Sequence, residues 1–170
     1  MVPIAIRNST PQTVTSIEVT GAAKDKAGKI VGSGQSQGIN PASVPAGGIA
    51  LGFVYYTSKI PANAKIDFTV ASSPLEGDPY FQDLKMDSAN LVSDAITGQA
   101  TNTSPSKLTG PYGVQVVCFD KRGKLLSTQV GYASPDADLE PEQSVTFQVD
   151  LFGDPCPTFL VGAGGYSPLS

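Results

Sequence analysis

Two phrases lying 95 residues apart constrain this chain more than its composition does: "KDKAGKIVG" (24–32) returns as "FDKRGKLLS" (119–127). The match runs on in order along the chain. "AIRNST" (5–10) aligns with "QATNTS" (99–104), and "IEVTGAAKDKAGKIV" (17–31) with "YGVQVVCFDKRGKLL" (112–126). "VPAGGIALGFVYY" (44–56) aligns with "LEPEQSVTFQVDLF" (139–152) around one inserted residue, and "PANAKIDFTVASS" (61–73) more loosely with "PCPTFLVGAGGYS" (155–167). The offset stays between 94 and 96, an order and spacing that chance similarity of turns would not keep. The chain therefore reads as two copies of one unit, residues 1–75 and 80–170, with "SPLEGDP" (73–79) as the joint.

Each copy reads as short antiparallel strands. Asp25 and Asp120 open turns by accepting backbone N–H bonds, and Gly28 and Gly123, three residues on, supply the positive φ that returns the chain into the next strand. Later in each copy a turn precedes an alternating strand, with Leu51, Phe53 and Tyr55 expected on the core face of the first copy and Phe147, Val149 and Leu151 on that of the second. No stretch sustains a helical period. "DPYFQDLKMDSANLVSDA" (78–95) is open to a helical turn or to an extra strand between the copies, and nothing upstream of Val2 matches it. The expected fold is all-β: two tandem small antiparallel β-sandwiches related by the repeat. Their open sheet edges are the expected sites of weak self-association.

Charge narrows the partners. With a net charge of −4, a nucleic-acid or anionic-membrane surface is not expected. Residues 1–74 carry six cations against three anions, and the remainder five against twelve, an asymmetry able to orient two surfaces. No apolar run approaches the roughly 20 residues of a membrane span, and the opening "MVPIAIRN" lacks the features of a secretion signal. The two cysteines, Cys118 and Cys156, fall opposite Ala23 and Ala62 in the repeat, as expected of two positions facing each other across a core. A disulfide there would contribute roughly 3–4 kcal/mol on the chain-entropy model and imply an oxidising compartment; the alternative is two buried thiols.

Histidine is absent, which removes Ser–His and Cys–His pairs and the commonest transition-metal ligand. "GSGQSQG" (32–38) and "GAGG" (162–165) lack the spacing and following helix of a phosphate loop and read as turns. No cofactor and no catalytic residue is expected. Glu76, Asp78, Asp83 and Asp87, near the joint, are candidate calcium ligands, although neither they nor "DADLEPE" (136–142) carry a calcium-loop spacing; a solvated acidic surface is the alternative. Tyr80, Phe81 and Tyr112 could form a sugar or peptide platform, or simply pack. Asn8-Ser9-Thr10 and Asn102-Thr103-Ser104 match the glycosylation sequon, yet their equivalent place in each repeat suggests a turn.

The succession "RNST…AAKDKAGKIV…VPAGGIALGFV" and "TNTS…VVCFDKRGKLL…LEPEQSVTFQV" resembles the FxLYD-type domain. "VVCFD" (116–120) keeps the aromatic and Asp of the naming motif, whereas "GAAKD" (21–25) keeps the Asp alone. The resemblance implies immunoglobulin-like sandwiches from exported, extracytoplasmic bacterial or archaeal envelope proteins, often lipoproteins. It also implies a non-catalytic role as spacer, assembly or protein-binding segment, with a protein partner in the envelope. The alternative expectation is a module binding a glycan, or calcium at the joint.

Overall fold

The structure, a computed structural model, describes residues 1–76 and 80–168. The described residues form eleven strands and no helix. The first five strands are β1 (Val2–Arg7), β2 (Val14–Lys24), β3 (Ile30–Asn40), β4 (Ile49–Tyr56) and β5 (Lys65–Pro74). They form an open sheet in the order β1-β4-β3-β2-β5. The others are β6 (Phe81–Val92), β7 (Ala95–Thr101), β8 (Thr109–Phe119), β9 (Leu125–Ser134), β10 (Ser144–Asp150) and β11 (Thr158–Tyr166). These close into a barrel, β10-β7-β6-β11-β8-β9. All-β architecture is thus observed, and residues 81–92 of the segment open to a helical turn or a strand form the strand β6.

The repeat is visible in the pairing. If β7–β11 are set over β1–β5, the barrel order becomes β7-β10-β9-β8-β11, the order of the open sheet, with β6 inserted where the ring closes. The turns agree in detail. Asp25 Oδ1 accepts the N–H groups of Ala27 and Lys29 at 2.9 and 3.0 Å, and Asp120 Oδ1 those of Arg122 and Lys124 at 2.8 Å. Gly28 and Gly123 take φ of 83° and 78°. The last strands correct the sequence alignment by one residue. Ala23 pairs with Ile66 and its counterpart Cys118 with Phe159, so Cys156 stands over Asn63, not Ala62. Cys118 and Cys156 are joined in a disulfide across a Cα–Cα distance of 4.9 Å, both buried in the barrel core.

Two expectations are overturned. "GSGQSQG" and "GAGG" are not turns; they lie within β3 and β11. Their glycines answer to close approach, since a Cβ on Gly162 would meet Asn40 Oδ1 at 1.5 Å and one on Gly164 would meet the Phe81 ring at 2.5 Å. In β4 the assumed face is inverted. Ala50, Gly52, Val54 and Tyr56 are the buried alternate set, while Leu51 and Tyr55 belong to the other face. Phe53 of that second face is nonetheless buried, because the face is covered by the barrel: Leu51 and Ile49 border a cavity of about 200 Å³ together with Gln115, Val117 and Leu160. A strand covered on both sides is apolar on both, so alternation gives its period and not its inward face. In β10, with one wet side, Phe147 and Val149 do point inward, followed by the buried Leu151.

The cores match in topology and differ in how volume is shared. In the barrel Val116 and Leu151 are buried; at the equivalent places of the open sheet stand Gly21 and Tyr56. A Cβ on Gly21 would lie 2.2 Å from the Tyr56 hydroxyl. Gly21→Val should therefore destabilise the chain by about 1–3 kcal/mol through overpacking. Adding Tyr56→Leu, which restores the barrel's combination, should recover most of the loss. Urea unfolding of the single and double variants measures both.

Candidate functional site

A cleft lined by several aromatic residues lies where the two halves meet. It encloses about 560 Å³ between Ile17 and Ile39 of the open sheet and Tyr80, Phe81 and Tyr166 of the barrel side, with Glu76 at its rim. Tyr166 organises the aromatic wall: its ring centroid is 5.3 Å from that of Tyr80, tilted at 49°, and 5.3 Å from that of Phe81, edge-on at 82°. Pairing places these residues, since Phe81 opens β6 directly opposite Tyr166 at the end of β11. Tyr80 is 57% exposed, so one ring is offered to solvent. Such a wall can stack on a flat apolar or sugar face.

Tyr112, grouped with Tyr80 and Phe81 on sequence grounds, belongs elsewhere. It is fully buried in the barrel, and its hydroxyl proton is shared between the carbonyls of Leu108 and Ala137, whose oxygens lie 2.9 and 2.8 Å away. Tyr166 takes its place in the cluster, and only β-pairing, invisible in a linear reading, brings it there.

The carboxylates disperse. Glu76 borders the cleft, Asp78 lies outside the described residues, and Asp87 accepts a hydrogen bond from the Thr101 hydroxyl with Lys85 at 3.5 Å. Asp83 grips backbone, its Oδ1 accepting the Ala42 N–H at 2.8 Å and its Oδ2 the Ser43 N–H at 3.3 Å. It thereby ties β6 to the segment that follows β3 in the other half. Among the described residues no group of three or more acidic or cysteine side chains is placed to hold a metal ion. A hint of Asp83's role lay in the sequence. On a strand it points opposite to Leu84, and "PAS" (41–43) offers N–H groups that no strand uses.

The sequon asparagines are both buried. Asn8 Nδ2 donates to the carbonyls of Gln12 and Val44, and Asn102 Nδ2 to those of Ser106 and Leu139. Their Oδ1 atoms accept from Thr10 and Ser104, in N–H and hydroxyl alike. Both amide hydrogens of each side chain are thus engaged in pinning a loop, twice over in equivalent places.

With this geometry in view, no family model matches the chain, and neither the curated proteins nor the solved structures contain a match to it.

Burial raises the Asp83 carboxyl above its ordinary value of 3.8, and the two backbone N–H groups pull it back only in part. The native state therefore holds the proton more tightly than the unfolded chain does. This contribution to stability is fullest below the ordinary value and declines as pH rises through the raised one. Asp83→Asn carries no such dependence. Urea unfolding of both proteins from about pH 3 to about pH 7 should show wild-type stability falling relative to the variant as pH rises, then levelling off.

Proposed function

We propose that the chain is a non-catalytic, extracytoplasmic β-module of an envelope protein, built from two immunoglobulin-like units of FxLYD type and serving in assembly or protein binding. The observation that carries the reading is the disulfide between Cys118 and Cys156, set inside the better-buried of the two halves. Disulfides persist in oxidising compartments and are rare in the cytosol. Two further features support it. The halves are docked through apolar residues and the Asp83 contact, which suits a rigid spacer better than a flexible tether. The chain also has no histidine, which removes Ser–His and Cys–His pairs. No helix among the described residues is long and apolar enough to cross a membrane.

A second reading rests on the aromatic wall: Tyr80 and Tyr166 stacking on a glycan at the joint cleft, or calcium held near Glu76. Titration of calcium or of short oligosaccharides against melting temperature separates the two readings. A rise of several degrees, reversed by chelator in the case of calcium, favours the second.

The leading reading is tested by making the chain in an oxidising and in a reducing compartment and counting thiols after unfolding without reductant. Protein from the oxidising compartment should show none, and reduction should lower its unfolding free energy by roughly 3–4 kcal/mol. Two free thiols in that protein, or no loss on reduction, would remove the compartment argument.

A further inference from the structure

The open sheet is the barrel with one strand left out. In the barrel, β6 pairs on one side with β7 (Val92↔Ala95 to Lys85↔Thr101) and on the other with β11 (Leu84↔Ala163 to Phe81↔Tyr166). The counterparts of β7 and β11 are β1 and β5, which are the two edges of the first sheet. Between them lies a groove of about 300 Å³ bordered by Ile6, Arg7, Ile17, Val44, Val70 and Ser72.

What β6 covers in one half is bare in the other. Register places Val70 where Ala163 stands and Phe68 where Val161 stands. Ala163 is 1% exposed beside its β6 partner Leu84, whereas Val70 is 53% exposed; Phe68, whose counterpart Val161 lies beyond the β6 pairing, is 45% exposed. The backbone is equally ready. The Asn8 N–H bonds to Gly48 on the β4 side, so by alternation the main-chain groups of Pro3, Ala5 and Arg7 point out toward the groove. Pro3 alone among them has no N–H to offer.

We propose that this groove accepts an extended peptide strand donated by a partner chain, which lies antiparallel to both β1 and β5 and completes the first half as a barrel. The chain itself supplies the template for its chemistry. A donated strand needs an apolar residue directly opposite Val70, as Leu84 stands opposite Ala163, and another opposite Ile6, as Met86 stands opposite Ala100. It also suits an acidic residue in the place of Asp87. There Thr101 donates to Asp87 in the barrel, and Arg7 occupies the equivalent of Thr101 in the open sheet. The excess of cations in residues 1–74 favours the same choice. Main-chain bonds supply affinity and alternate side chains supply specificity, the general mode of strand addition. The inference deepens the assembly role proposed above and takes its biological setting from that reading.

The probe is a labelled peptide of the β6 sequence, FQDLKMDSANLV, added to the full chain and followed by anisotropy, melting temperature and amide hydrogen exchange. Saturable one-to-one binding is expected, with a melting rise of several degrees and new protection in β1 and β5. A control peptide with Asp in place of both Leu84 and Met86 should bind at least about tenfold more weakly. Val70→Asp and Ala5→Pro act on exposed or outward-facing groups that the sheet does not use, and each should weaken binding by about tenfold or more. Absence of saturable binding overturns the proposal. So does protection confined to the barrel, where the peptide would have displaced β6. A chain that is already dimeric, with β1 and β5 protected before peptide is added, assigns the groove to a second copy and overturns it as well. In each of these cases the thiol count still reads the compartment separately, so the groove can fail while the envelope reading stands.

Discussion

A β-strand satisfies only half of its backbone groups on each side, and a sheet therefore carries two unsatisfied edges unless a further strand joins them. In this chain β6 is the joining strand for one half and, among the described residues, has no counterpart in the other. Much else follows from that inequality. The barrel, closed, buries Ile96, Leu108, Val116 and Val145 completely, whereas the open sheet splits its interior into two smaller clusters around Val54 and Val44. The halves are equal in plan and unequal in cover.

β6 also carries the link between them. Its Leu84 faces the barrel interior while Asp83, on the opposite side, reaches the N–H groups of Ala42 and Ser43. The same strand thus closes one ring and fastens the other half beside it. A carboxylate serves here because two backbone donors are available and no cation is needed to satisfy it. The cost is desolvation, and it is visible in the raised pKa.

How much of this was legible in the sequence depends on whether a feature is local. The Asp–Gly turns are: Asp25 and Gly28 act within four residues, and their spacing is a signature. The all-β class followed from short alternating strands and their turns, and the pairing of Cys118 with Cys156 was read from a repeat alignment that fits at Ala23 and is one residue off at Cys156. Features that depend on a neighbour across the chain were not legible. Phe53 and Leu51 looked like core because the barrel covers them, and "GAGG" looked like a turn because the Asn40, Phe81 and Tyr112 side chains that exclude a Cβ there are remote in sequence. Tyr112 and Tyr166 exchanged roles for the same reason. The candidate carboxylates lie close along the chain, yet among the described residues no three of them come together.

The traded volumes in the two cores bear on how a duplicated chain avoids confusing its halves while it folds. Ile4 pairs with Gly52 in the first half, and Gly98 with Phe147 in the second, where the Phe147 ring occupies the space above Gly98. Were β10 to pair with β1, Phe147 would meet Ile4 where Gly98 now leaves its ring room, whereas the space above Gly52 is filled by Ile39 of its own sheet. The exchange of β10 onto β1 loses by overpacking stability that the correct pairing keeps. Covalently tethered repeats with similar turns are prone to such cross-pairing. The inverted large and small residues give β10 a lock that only its own half fits, so sequence divergence between the copies guards the topology they share.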